Sequence, residues 1–145
     1  MKLKLMLPFL LMLTVAAHAQ QPEIYKVNGL GAHGLDVVSL VNELPSIKGE
    51  EKYSYDWNGA RWLFISQAHV DSFKVAPEKY APQYGGYCAF GTSRGYKAPT
   101  ESDTWTVVAN RLYFNYNLKV KEAWSKNTDA YIHKADSSWQ IIRTK

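Results

Sequence analysis

Tyr53-Ser54-Tyr55-Asp56-Trp57-Asn58-Gly59-Ala60-Arg61-Trp62-Leu63-Phe64-Ile65 is the stretch on which the fold turns. Aromatic and polar residues alternate up to Trp57, the two-residue period of a half-buried strand. Asn58-Gly59 follows, the pair that best tolerates the positive φ angles of a two-residue type I′ turn, and Arg61 to Ile65 returns. The pattern predicts a β-hairpin. A second hairpin is expected from Thr104 to Val108, a turn at Ala109-Asn110, and Arg111 to Asn115.

Helical signals lie between and around the hairpins. Ser66 is placed to cap a helix running to about Ala76, with Val70 and Phe73 on its inner face and Pro77 beyond its end. Val37 to Val41 is a short buried run. The segment from Pro77 to Phe90 carries two prolines and two glycines, and a short helix is expected near Tyr87 to Gly91. Asn117 caps a further helix with Val120 and Trp124 inward. A last helix near Asp129 to Asp136 precedes Trp139-Gln140-Ile141-Ile142. Hairpins interleaved with short helices predict a small single α+β domain, not a parallel βαβ array.

The first 19 residues read differently from the rest. Lys2 and Lys4 precede an apolar run from Leu5 to Val15, and Ala17-His18-Ala19 supplies the small-x-small pattern of a signal-peptidase site. The run is shorter than the roughly 20 residues that span a bilayer. Residues 1–19 are therefore expected to be a signal peptide cleaved between Ala19 and Gln20, which places the mature chain in the periplasm or outside the cell. Residues 20–32 are expected to be an irregular lead-in, and 33–145 the folded domain. No second candidate membrane span follows.

Charge narrows the partners. Without Lys2 and Lys4 the chain holds 15 basic and 13 acidic residues, a net charge of +2, with no basic cluster. That is a poor electrostatic footprint for nucleic acid. Cys88 is the single cysteine, so no internal disulfide forms and folding rests on the core. The five Trp and ten Tyr serve first as core material, though rings of this kind also line sugar sites.

Two generic motifs fail on context. Gly29-x-Gly31-x-x-Gly34 matches a dinucleotide fingerprint, but the downstream hairpins contradict the parallel sheet it needs. Gly91-Thr92-Ser93-Arg94-Gly95 matches a nucleophile elbow, yet Pro99 and a polar stretch follow where a helix is required. Of the metal-ligating types, His33, His69, His133 and Cys88 remain, in no recognised spacing.

One larger pattern does carry information: Gly34-Leu35-Asp36-Val37-Val38, then Trp57-Asn58-Gly59-Ala60-x-Trp62-x-Phe64, then Phe73-x-x-x-Pro77-Glu78-Lys79-Tyr80-Ala81-Pro82-Gln83-Tyr84-Gly85-Gly86-Tyr87-Cys88-Ala89. Leu112-Tyr113-x-Asn115-Tyr116-Asn117 and Ala135-Asp136-x-x-Trp139 extend it. Across about residues 33–142 the chain resembles a YHS-domain protein of the exported, signal-bearing branch. The resemblance implies a small domain that recurs beside heavy-metal transport machinery, typical copies carrying cysteines suggestive of metal binding. At the corresponding positions this chain has Ser39, Ile65 and His69, so the thiolates are gone and only His69 could still coordinate. Cys88 matches the exported branch's Gly-Gly-Tyr-Cys-Ala signature.

The expected function is an exported, non-enzymatic binding module associated with a metal ion. The candidate ligands are Cys88, His69 and His33, a thiolate and imidazoles that suit copper or zinc. Two alternatives stand beside it: a thiol redox protein using Cys88, and a structural or interaction domain without a site. Cys88→Ser is expected to cost about 1–3 kcal/mol, by burying a hydroxyl with no assured partner.

Overall fold

In the computed structural model, which describes residues 20–145, Asn58 (φ 49°) and Gly59 (φ 73°) make the two-residue turn between β3 (Glu50–Trp57) and β4 (Ala60–Phe64). Both angles are positive, as a type I′ turn demands. Trp57 pairs with Ala60, Asp56 with Arg61 and Tyr55 with Trp62, and the register slips between Glu50 and Ser54 at a bulge. The second hairpin joins β5 (Thr106–Val108) and β6 (Arg111–Tyr113) through Ala109 (φ 50°) and Asn110 (φ 60°), the same kind of turn. The signal-peptide expectation falls on residues 1–19, outside the described residues.

A third hairpin lies where an irregular lead-in was expected. β1 (Lys26–Val27) and β2 (Leu30–Gly31) pair antiparallel across Asn28 (φ 52°) and Gly29 (φ 80°). Asn28-Gly29 is the same turn signal as Asn58-Gly59, so the first glycine of the dinucleotide-like motif serves a hairpin. β2 then runs parallel to β4, giving a four-stranded sheet in the order β1-β2-β4-β3. Ile24 and Ala32 are buried in the core, so residues before 33 belong to the folded unit.

The helices follow their caps. Val37–Val41 forms α1, every residue of it buried, with Asp36 as N-cap. Ser66 caps α2 (Gln67–Val75), which buries Val70 and Phe73, and α3 (Pro77–Tyr80) follows with Pro77 in its first turn. Cys88 caps α4 (Ala89–Ser93). Asn117 accepts the Val120 N–H to cap α5 (Leu118–Ser125). The final helix, α6, spans Thr128–Ile142, longer at both ends than expected and including Trp139. Gly91 to Gly95 is α4 and its end, with no strand before it, which removes the nucleophile-elbow reading.

Two apolar clusters hold these pieces. In the sheet-side cluster Phe73 is central, its ring within 5.2 to 6.3 Å of those of Tyr55, Trp57, Trp62 and Phe64. The second cluster gathers Tyr84, Tyr113 and Trp124 against Ala89 of α4 and Ala135 of α6. Lys97 ties residues 21–22 to the segment after α6: its ammonium lies within 2.9–3.3 Å of backbone oxygens of Gln21, Pro22, Arg143 and Lys145. It also lies 5.3 Å from the Tyr87 ring centre and 5.6 Å from that of Trp139, a cation–π setting.

Candidate functional site

Asp36 is the polar centre of the sheet-side half. Its residue is fully buried, and its carboxylate meets three donors. Oδ1 accepts the Ser39 N–H at 3.0 Å, closing the first turn of α1. Oδ2 accepts the Ile65 N–H at 2.9 Å and His69 Nδ1 at 2.7 Å. A carboxylate only accepts, so Nδ1 carries the proton and Nε2 of a neutral ring keeps its lone pair. His69 sits in the first turn of α2, its backbone N–H donated to Ser66 Oγ at 3.2 Å, with a side chain 20% exposed. The result is an oriented, partly exposed imidazole backed by a buried carboxylate.

Ser39, Ile65 and His69 are thus brought together around one carboxylate. They are the three positions at which the resemblance implies metal-binding cysteines. Two of them contribute only backbone N–H groups to Asp36. The Ser39 hydroxyl is buried with no hydrogen-bond partner among the described residues.

The other candidates stand elsewhere. His33, at φ 57° in a single 3₁₀ turn over Ala32–Gly34, lies 3.1 Å through Nε2 from the Thr100 hydroxyl. That hydroxyl donates its one proton to the Gly86 carbonyl at 3.0 Å, so Nε2 of His33 is the donor. The polarity is opposite to that of a base activating a hydroxyl. The His33 ring packs between Tyr25 and Phe114, and burial lowers its pKa.

Cys88 is 2% exposed and free. Its sulfur accepts the Gly91 N–H at 3.4 Å, the N-cap bond of α4, and donates to Asn115 Oδ1 at 3.6 Å. Burial pushes the thiol pKa up, against a smaller opposing effect of nearby backbone N–H groups. A neutral, sealed thiol is a poor nucleophile and a poor ligand.

The expected set of Cys88, His69 and His33 therefore does not assemble. Each is committed to a different partner: Asn115 and the α4 backbone, Asp36, and Thr100. Among the described residues no three His, Cys, Asp or Glu side chains are grouped so as to hold a metal ion. Structural zinc takes four ligands and catalytic zinc three plus water, so this donor set does not fit a closed copper or zinc centre. Asp36, which is not among the expected ligands, is the residue that organises the group around His69. Its signal was present, a carboxylate directly before a buried run, the signature of an N-cap.

Among the described residues no helix is long and apolar enough to cross a membrane. No family model, curated protein or solved structure matches the chain.

Proposed function

We propose that this chain is an exported, non-enzymatic YHS-like binding module that presents one oriented imidazole nitrogen, Nε2 of His69, to its ligand. The observation that supports this reading is the 2.7 Å contact between His69 Nδ1 and the fully buried carboxylate of Asp36. A carboxylate behind one ring nitrogen fixes the tautomer and the ring orientation, the arrangement common to metal-bound histidines. Copper or zinc is the ligand class that the family resemblance supplies. A single imidazole suits such an ion as one shared ligand, with the remainder from a partner or from solvent. The sealed thiol of Cys88 weighs against the redox alternative.

Calorimetric titration of tag-free protein with zinc, and separately with copper(II), tests the reading. Weak binding is expected, reduced at least about tenfold in His69→Ala and unchanged in Cys88→Ser. Binding that survives His69→Ala, or none in the parent protein, would overturn the assignment and leave the structural alternative. Dependence on Cys88 would restore a thiolate ligand.

A further inference from the structure

One groove has a volume of about 490 Å³, within the range of about 300–1,000 Å³ typical of small-molecule sites. Neither Asp36 nor His69 lines it. Its walls come from the β3–β4 turn, the start of α3, the 81–85 turn, the start of β6 and the last turns of α6. We propose that this groove binds a neutral oligosaccharide, read from two anchored tryptophans beside a mixed set of donors and acceptors.

The tryptophans are Trp57 and Trp139, each partly exposed and each held from behind. Trp57 packs on Trp62 and Phe73, with ring centres 5.9 and 5.8 Å away, and its carbonyl accepts the Trp62 indole N–H at 3.0 Å. Trp139 packs on Tyr84 and Tyr87 at 6.2 and 6.3 Å. Rings fixed in this way lose little further freedom on binding, which favours stacking on the apolar C–H face of a pyranose.

The polar lining decides the ligand class. Gln83 and Gln140 both donate and accept, Arg111 only donates, and Glu78 and Asp136 only accept. Asp136 is itself positioned, since the Tyr84 hydroxyl donates to its Oδ1 at 2.9 Å and leaves Oδ2 free of that bond. An organic cation would meet the guanidinium of Arg111. An anion would meet the carboxylates, Glu23 among them. Sugar hydroxyls, each a donor and an acceptor, can use every member of the set. Glu78, Arg111, Asp136 and Gln140 are exposed, so the groove is open along its length and suits a chain of sugars better than an enclosed single ring.

Saturation-transfer NMR on the purified protein with cellotriose, chitotriose and maltotriose, and with spermidine as a cationic control, tests the proposal. Transfer to at least one trisaccharide is expected, strongest for those whose rings carry equatorial hydroxyls and linkages. Glu78→Ala and Gln140→Ala, both at exposed positions outside the cores, should each weaken that binding about threefold or more. Trp57→Ala should abolish it, with circular dichroism checking that the fold persists. No transfer to any trisaccharide, binding to spermidine alone, or binding indifferent to both surface variants would overturn the proposal.

Discussion

The two halves of the molecule treat a buried polar side chain in opposite ways. On the sheet side, Asp36 has a donor for each interaction its carboxylate makes, and one of them, His69, connects it to solvent. On the helical side, Cys88 and Asn115 bond each other and the backbone of α4, and nothing in that group reaches the surface. The helical side is also less completely paired: Asn115 Nδ2, Thr92 Oγ1 and Trp124 Nε1 are buried without partners among the described residues. Residue type alone would rank the thiol as the more reactive centre. Access and pairing reverse that order, because a nucleophile or ligand must be both reachable and in the right protonation state.

Asp36→Ala should give the largest effect. It removes the acceptor of two backbone N–H groups and of His69, and with it the cap of α1. Stranding such donors in the interior should cost about 3–5 kcal/mol in urea unfolding. Asp36→Asn should cost less, about 1–3 kcal/mol, since one amide oxygen still accepts while the NH₂ faces a donor. Equal, small losses in both variants would mean that the carboxylate is not the organising group of the sheet side.

The thiol tests the other half. Native Cys88 should react with iodoacetamide at least about a hundredfold more slowly than the unfolded chain, at a rate that tracks denaturant. Fast native alkylation would place Cys88 at the surface and revive the redox alternative. The structure also revises the cost of Cys88→Ser. A serine hydroxyl here would not lack partners, since Gly91 N–H and Asn115 Oδ1 are both in place. Serine is also a good N-cap, so the loss should stay below about 1 kcal/mol, whereas Cys88→Ala forfeits the cap and should cost about 1–2 kcal/mol.

The same contrast shows what could be read in advance. The α+β class was legible because its determinants are local: an Asn-Gly turn between alternating strands, and caps at Ser66 and Asn117. The hairpin at Asn28-Gly29 was equally local. It hides inside an expected irregular lead-in because its strands are only two residues each, too short to show a two-residue alternation. α6 runs beyond its expected end for another reason. No proline or glycine punctuates 129–142, and tertiary burial of Ala135 and Ile142 carries the helix past Asp136. The site was legible only in pieces. His69 could be named from sequence, but Asp36 and His69 are 33 positions apart, and only the packing of α1 against the β4–α2 junction joins them. Nothing in the spacing of Cys88 and His33 tells that each is spent on a separate partner.

The smallest expected effect concerns His33, which borders the helical side through Thr100 and Gly86. Unlike His69 it faces a hydroxyl, not a carboxylate, and that hydroxyl already donates to a carbonyl. A second proton on the ring would therefore be a half-buried charge without a counter-ion among the described residues, and burial lowers the pKa below its ordinary value of 6.5. The unfolded chain takes up this proton at a higher pH than the native one does. The His33 contribution to stability is thus complete above the ordinary value and is lost as pH falls below it. Urea midpoints should decline between about pH 7 and pH 5, and His33→Gln, which keeps a donor toward Thr100, should flatten part of that decline. An identical slope in the variant would assign the acid sensitivity to other groups. A midpoint rising on acidification and abolished by His33→Gln would mean that the charged ring is stabilised in place, and the sealed character of this half would have to be given up.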